Sequence, residues 1–316
     1  MLASILKEII KIAVVQATPY FFDNKRTLEK MEALVKKCSQ QNCDVALFPE
    51  SFLPGYPRGM TFGTAVGSRS EKGRKLWKMY LDNSIEVGDP NFERIREIAR
   101  QNEMQIIIGI TEKDSLNRSL YCTVLLIDRH GDLYGKHRKI KPTGSERIIW
   151  GEGDGNSLIT YKTEIGRVGT LVCWENMMPE ARLALYKSGI DLYFAPTADA
   201  RPSWTASMQH IACEGRCFVM SANQYFRRSD YNDEMKEFLL PHLPQEMCRG
   251  GSLIVSPYGE LLKGPLFDEE GIIITEINAE EIIKSRMDFD PVGHYSRPDL
   301  FEFRLKNEIS PTLQAR

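Results

Sequence analysis

The chain has 316 residues, 41 basic against 43 acidic side chains, a formal net charge of -2 and 42% hydrophobic residues. At this length about 75% of the unfolded surface can be buried, so a sizeable core needs no metal or disulfide staple. The near-neutral balance argues against a general attraction to nucleic acid or anionic lipid, and no run of about 18 apolar residues offers a membrane span. The seven cysteines, at 38, 43, 122, 173, 213, 217 and 248, are odd in number and irregular in spacing, which points to a reducing compartment. Lys7 and Glu8 interrupt the apolar start and no small-residue cleavage site follows, so the reading is a cytoplasmic protein without a signal peptide.

In chain order, β-branched runs predict strands over 12–15 and 45–48, separated by a helix over 27–38. In that helix Leu28, Met31, Leu34, Val35 and Cys38 recur at helical spacing. A helix is predicted over 91–102, then strands over 106–110 and 123–127. The basic run Lys136-His137-Arg138-Lys139-Ile140-Lys141 reads as a solvated loop rather than a phosphate-binding patch. Strands over 168–172 and 192–195 flank a helix over 179–188, and a helix over 203–216 precedes a strand over 218–220. Towards the end, 251–257 and 260–263 form a hairpin about Tyr258-Gly259, with a last strand over 271–277. Strand and helix alternate early and hairpins follow, so the fold class is α/β. The expected architecture is a four-layer α-β-β-α sandwich of two mixed sheets covered by helices.

Cys173 stands where the apolar run 169–172 breaks into Trp174-Glu175-Asn176 and then Pro179. A thiol at such a strand-to-helix corner lies near the positive end of the following helix, which favours thiolate. Glu50 follows the apolar strand and Pro49, at a carboxyl strand end of the kind where α/β sheets place ligand sites. Lys139 and Glu146 flank the loop 142–145. Other candidates carry less. Gly151-Glu152-Gly153-Asp154-Gly155 opens no helix and carries carboxylates that would repel phosphate, so it is not a nucleotide loop. His210, Cys213 and Cys217 share a helical spacing, but zinc usually takes four ligands and no partner pair appears, so packing is the preferred reading.

Together, Phe48-Pro49-Glu50, His137-Arg138-Lys139-Ile140-Lys141-Pro142-Thr143, Ile149-Trp150-Gly151-Glu152-Gly153-Asp154-Gly155 and Cys173-Trp174-Glu175-Asn176 resemble the motifs of the nitrilase family. Gly55-Tyr56-Pro57-Arg58-Gly59, Ala195-Pro196-Thr197-Ala198-Asp199, Gly250-Gly251-Ser252 and 292–299 extend the resemblance in order, in the manner of the true nitrilase branch with plant-type features. The resemblance implies one carbon-nitrogen hydrolase domain over 1–316, with a core over 11–303 and a short tail over 304–316. It implies Glu50 as general base, Lys139 as electrostatic stabiliser, Cys173 as nucleophile and Glu146 as a second carboxylate that helps position the site. Tyr56 and Trp174 are candidate pocket walls for the substrate side chain. Gly144 departs from the family, where a larger residue is frequent.

The implied reaction converts an organic nitrile and water to a carboxylic acid and ammonia through a covalent thioimidate and thioester. No metal or organic cofactor is called for, and a homodimer or larger homo-oligomer is expected. The alternatives are an amidase or carbamoylase using the same residues on a carbonyl, a cyanide hydratase, or a catalytically silent scaffold.

Overall fold

In the computed structural model, which describes residues 7–306, the first half of the chain forms strands β1 (Ile9–Gln16), β2 (Val45–Leu47), β3 (Thr64–Ala65), β4 (Ser68–Arg69), β5 (Gln105–Lys113), β6 (Leu120–Ile127) and β7 (Leu133–Arg138). The second half adds β8 (Tyr161–Thr163), β9 (Gly166–Thr170), β10 (Leu192–Phe194), β11 (Phe218–Ser221), β12 (Tyr225–Arg227), β13 (Glu246–Val255), β14 (Leu261–Phe267) and β15 (Gly271–Asn278). The helices are α1 (Asn24–Ser39), α2 (Glu71–Asp82), α3 (Pro90–Gln101), α4 (Pro179–Lys187), α5 (Pro202–Gly215), α6 (Asp233–Lys236) and α7 (Glu280–Ser285).

Two large sheets run in the orders β15-β1-β2-β5-β6-β7 and β12-β13-β11-β10-β9-β8, with β14 joined to the second through β13. The runs β1-β2-β5 and β9-β10-β11 are parallel, and β15, β6, β7 and β13 pair antiparallel with their neighbours. Both sheets are therefore mixed, as the sequence predicts.

Alternation along the strands decides the layers, because successive side chains point to opposite faces. Ile12, Val14, Leu47 and Val124 face inward and meet Val168, Phe194, Met220 and Ile254 of the other sheet. Their neighbours Ala13, Val15, Ala46 and Ile106 face outward, onto Leu28, Met31 and Val35 of α1 and Ile95 and Ile98 of α3. Tyr193, Val219 and Leu253 likewise cover Leu185 of α4 and Trp204, Met208 and Ile211 of α5. The order is helix, sheet, sheet, helix. Each such buried aliphatic or aromatic side chain stabilises the fold by roughly 1.5–3 kcal/mol relative to exposure.

The helices start where their caps dictate: Asp23 accepts from the Arg26 N–H and Asp89 from the Phe92 N–H, ahead of Pro90. Such side-chain oxygens satisfy amides that the first turn leaves unpaired. α2, not anticipated from the sequence, begins after Ser70, whose hydroxyl accepts from the Gly73 N–H. The basic run also differs from its reading as a loop, since its first half is the edge strand β7. Gly135 and His137 point inward, while Lys136 and Arg138 point outward to the buried Glu112 carboxylate, at 2.6 Å each.

His210 is exposed and Cys217 is fully buried beyond the end of α5, after Arg216 turns the chain with φ of 47°. The two do not share a face. No helix among the described residues is long and apolar enough to cross a membrane. Residues 1–6 of the apolar start and 307–316 of the tail lie outside the described residues.

Candidate active site

β7 lies two antiparallel steps from β5, and so runs parallel to β2. The residues that follow β2 and β7 therefore emerge at the same end of the first sheet. Glu50 follows β2, Lys139 follows β7, and Cys173 leaves β9 in the facing sheet.

Glu50 is fully buried. Its peptide is pressed against β5, where a Cβ on Gly109 would lie 2.3 Å from the Pro49 carbonyl oxygen and 2.6 Å from Glu50 Cα. From the other sheet the Gln224 Nε2 donates to the Glu50 carbonyl at 2.9 Å. Lys139, also fully buried, is anchored by its own N–H, which donates to the Cys122 carbonyl at 2.7 Å. Its Nζ donates at 2.7 Å to Glu50 Oε1 and at 2.7 Å to Glu146 Oε2.

Glu146 sits on the short turn Gly144–Ile148. Gly144 has φ of 54°, a left-handed conformation that a larger residue adopts only with strain, so the departure from the family pattern suits the turn. The Glu146 carboxylate is saturated: Oε2 also receives the Thr143 N–H and Oε1 receives the Tyr56 hydroxyl, each at 2.7 Å. Glu50 differs. Its Oε1 takes Lys139 and the Cys122 thiol, at 3.4 Å, while its buried Oε2 has no partner among the described residues.

Cys173 stands at the corner predicted for it, with its N–H donating to the Pro196 carbonyl at 2.9 Å. Its φ of 50° is unusual for a residue with a side chain, and such strain persists only where surrounding bonds over-determine it. Those bonds are present. The Asn176 amide donates to the Cys173 and Leu171 carbonyls at 2.7 and 3.1 Å and receives the Tyr193 hydroxyl at 2.7 Å. Glu175 ties the two sheets together: its carboxylate accepts from the Val172 N–H at 2.7 Å and the Ile140 N–H at 2.6 Å, with His137 Nε2 at 3.0 Å. One buried side chain thus links the residue after Lys139 to the residue before Cys173.

The electrostatics correct one expectation. A short 3-10 turn, Cys173–Met177, stands between the thiol and α4, so the thiol does not sit at the first turn of that helix. Burial first, then the neighbouring Glu50 carboxylate, push the Cys173 thiol up to about 12, against the opposing pull of Lys139. The resting group is a neutral thiol. Burial also raises the Glu50 carboxyl above the usual carboxylate range, although Lys139 opposes the shift. For Lys139 burial works to lower the ammonium, but Glu50 and the other anionic groups outweigh it and hold it well above its ordinary value. Lys139 stays cationic.

A cavity of about 380 Å³ opens over Cys173, with Glu146, Tyr56 and Trp174 in its wall. Trp174, 39% exposed, is fixed by its indole N–H on Asp199 at 2.8 Å and by the Arg201 guanidinium over its ring. Arg58, Asp199 and Arg201 line the same cavity and were not singled out from the sequence. They lie in stretches the resemblance covers, but nothing in their spacing marks them as pocket residues. Cys122 was missed for a different reason, since an apolar strand gives no sign that one of its thiols touches a carboxylate from residue 50.

A buried thiol beside a carboxylate and a fixed cation is the set of groups that acyl-transfer hydrolysis through a covalent intermediate on sulfur calls for. The carbon-nitrogen hydrolase family profile matches residues 11–287, and the chain belongs to that family. It is 43% identical over 309 residues to a bifunctional nitrilase/nitrile hydratase of Nicotiana tabacum, covering 96% of this chain and 88% of that one. Identity to nitrilase 3 of Arabidopsis thaliana is 42% over 299 residues, 92% of this chain and 85% of the relative. Among solved structures, an amidase from Nesterenkonia sp. AN1, bearing an acetamide moiety on its active-site cysteine, superposes with TM-score 0.66 at 20% identity, over 87% of this chain and 92% of that one.

Proposed function

We propose that the protein is a nitrilase that hydrolyses an organic nitrile to the carboxylic acid and ammonia, with Cys173 as nucleophile, Glu50 as general base and Lys139 as electrostatic stabiliser. The observation that carries the division of labour is the asymmetry between the carboxylates. Glu146 has both oxygens engaged and serves to position Lys139, whereas Glu50 keeps Oε2 without a partner among the described residues. The identity to named nitrilases supports the nitrile as substrate.

In the free enzyme the thiol is neutral, so its proton must leave as sulfur attacks. Glu50 takes it as the Sγ–C bond forms and one C–N π bond opens, then passes the same proton to the nitrile nitrogen, which gives the thioimidate and restores the carboxylate. Water deprotonated by Glu50 adds to that carbon and its proton goes on to the nitrogen; the new hydroxyl then gives up its proton, by way of Glu50, to the same nitrogen as the carbonyl forms and ammonia leaves. A second water cleaves the resulting thioester, releasing the acid and restoring the thiol. General acid-base help of this kind is worth on the order of 10²–10⁴-fold. Lys139 opposes the negative charge that develops near the thiol, a contribution of about 3 kcal/mol or more per well-placed donor. Tyr56 and Trp174 are read as walls that receive the substrate side chain. Tyr56 also fixes Glu146.

Ammonia, acid and amide measured across matched aliphatic and aromatic nitriles and amides test the reaction. Turnover of nitriles, abolished in Cys173→Ala with the thermal midpoint retained, is the expected result. Turnover of amides alone would replace the nitrilase reading by the amidase or carbamoylase one, and full activity in Cys173→Ala would remove the site assignment altogether.

The shared core between the two sheets supports a single domain over 1–316. The free thiols of all seven cysteines are consistent with a cytoplasmic setting. A homodimer or larger homo-oligomer is supported by the apolar side chains exposed among the described residues in and after α7, Ile283, Met287, Leu300 and Phe301.

A further inference from the structure

Cys122 takes no part in the chemistry above, yet it touches both charged members of the cluster. Its carbonyl accepts the Lys139 N–H at 2.7 Å and its thiol donates to Glu50 Oε1 at 3.4 Å. Lys139 Nζ closes the triangle on the same oxygen at 2.7 Å. We propose that Cys122 is a positioning residue that, with Lys139, engages Glu50 Oε1 and leaves Oε2 as the oxygen that exchanges protons with the thiol and water. The inference rests on Glu50 being the general base.

The geometry places both donors on one oxygen of a fully buried carboxylate and none from the described residues on the other. Such an orphan normally costs free energy and calls for a reason. With Oε1 held from β6 and from the end of β7, the carboxylate cannot rotate to present its other face without losing both bonds. A thiol is a weak donor. It fixes direction while leaving the carboxylate more basic than a hydroxyl would. Burial first, and then Glu50, raise the Cys122 thiol well above its ordinary value, so it remains a donor and not a second thiolate. The groups facing Glu50 are Lys139 from the end of β7, Glu146 from the turn 144–148, Cys173 from the opposite sheet, Tyr56 from the loop after β2 and Cys122 from β6. Of these, Cys122 is neutral and can lose its side-chain bond without removing a charge.

The test compares native enzyme, Cys122→Ala and Cys122→Ser by nitrile turnover against pH, together with the thermal midpoint. A hydrogen bond to the ionised form lowers a carboxyl pKa, so its loss in Cys122→Ala should move the acid limb of kcat/KM upward by about half a pH unit to one unit. In the same variant kcat should fall about tenfold with KM changed less than about twofold, as for an interaction made chiefly in the transition state. Cys122→Ser restores a donor, and its acid limb should lie below that of Cys122→Ala. Should the alanine variant fold poorly, the serine variant still tests the idea, since its acid limb should differ from native. Native acid limbs and native kcat in the folded variants would overturn the proposal. Glu50→Gln separates the two ideas: if it keeps turnover, the base assignment fails; if it is inactive while Cys122 variants are unchanged, only the positioning role fails.

Discussion

At the scale of single residues, the site is governed by burial acting against close charge. Cys173 is neutral because a thiolate there would be desolvated beside the Glu50 carboxylate, and Lys139 only partly offsets that. The nucleophile is therefore made at the moment of attack, not stored. This has a consequence for pH. Glu50 must be ionised to accept the thiol proton, and its carboxyl is raised by burial. As pH falls, the ionised form is lost through that raised value and not through the ordinary one, about 4.3 for an exposed glutamate. The acid limb of kcat/KM, measured from initial rates of ammonia release, should lie clearly above pH 4.3. A limb at or below the ordinary glutamate value would show that the carboxylate is not held in the environment described here.

At the scale of elements, close approach sets the geometry. β5 has a glycine where it passes the Pro49-Glu50 peptide, and a methyl group there would collide with backbone atoms at 2.3 and 2.6 Å, distances that side-chain rotation cannot relieve. Gly109→Ala should displace Glu50 from Lys139. Activity should fall by at least about 10²-fold, the loss that a shift near 1 Å commonly causes. Kinetics and a urea titration on the same preparation check this: a variant that folds with native activity would mean that the two strands can separate without moving the carboxylate. The Glu175 bridge acts on the facing side, joining the Lys139 segment to the nucleophile turn across the gap between sheets. The left-handed Cys173 is stabilised by such bonds to its neighbours, with Asn176 beneath it.

For the whole molecule, the two sheets bury their inner faces against one another and their outer faces under helices; α7 sends Ile282 into the core between the sheets and turns Ile283 to the surface. Met287 is 87% exposed and Phe301 76%. Apolar side chains this exposed along one stretch are what a self-associating surface presents, since monomeric proteins rarely leave extended apolar patches uncovered. Sedimentation velocity at micromolar protein should report a dimer or larger species, and Met287→Glu with Phe301→Glu should shift it towards monomer. A monomer at all concentrations in the unaltered chain would end the homo-oligomer reading.

The helices 27–38, 91–102, 179–188 and 203–216 were legible because the spacing of apolar residues is a local property, and they appear within a few residues of their predicted ends. The inner strands were legible as uninterrupted apolar runs. β7 was not, since an edge strand that alternates Lys136 and Arg138 with His137 reads as a basic loop until Glu112 on β5, one strand further in, supplies the counter-charge. By itself the sequence determined the alternating order of strands and helices, and its motifs named Glu50, Lys139, Glu146 and Cys173. Only the tertiary structure decided which carboxylate oxygen is unshared, that the thiol rests neutral, and that Cys122 touches the proposed base. Those properties depend on desolvation and on distances between residues far apart in the chain, and no local pattern encodes either.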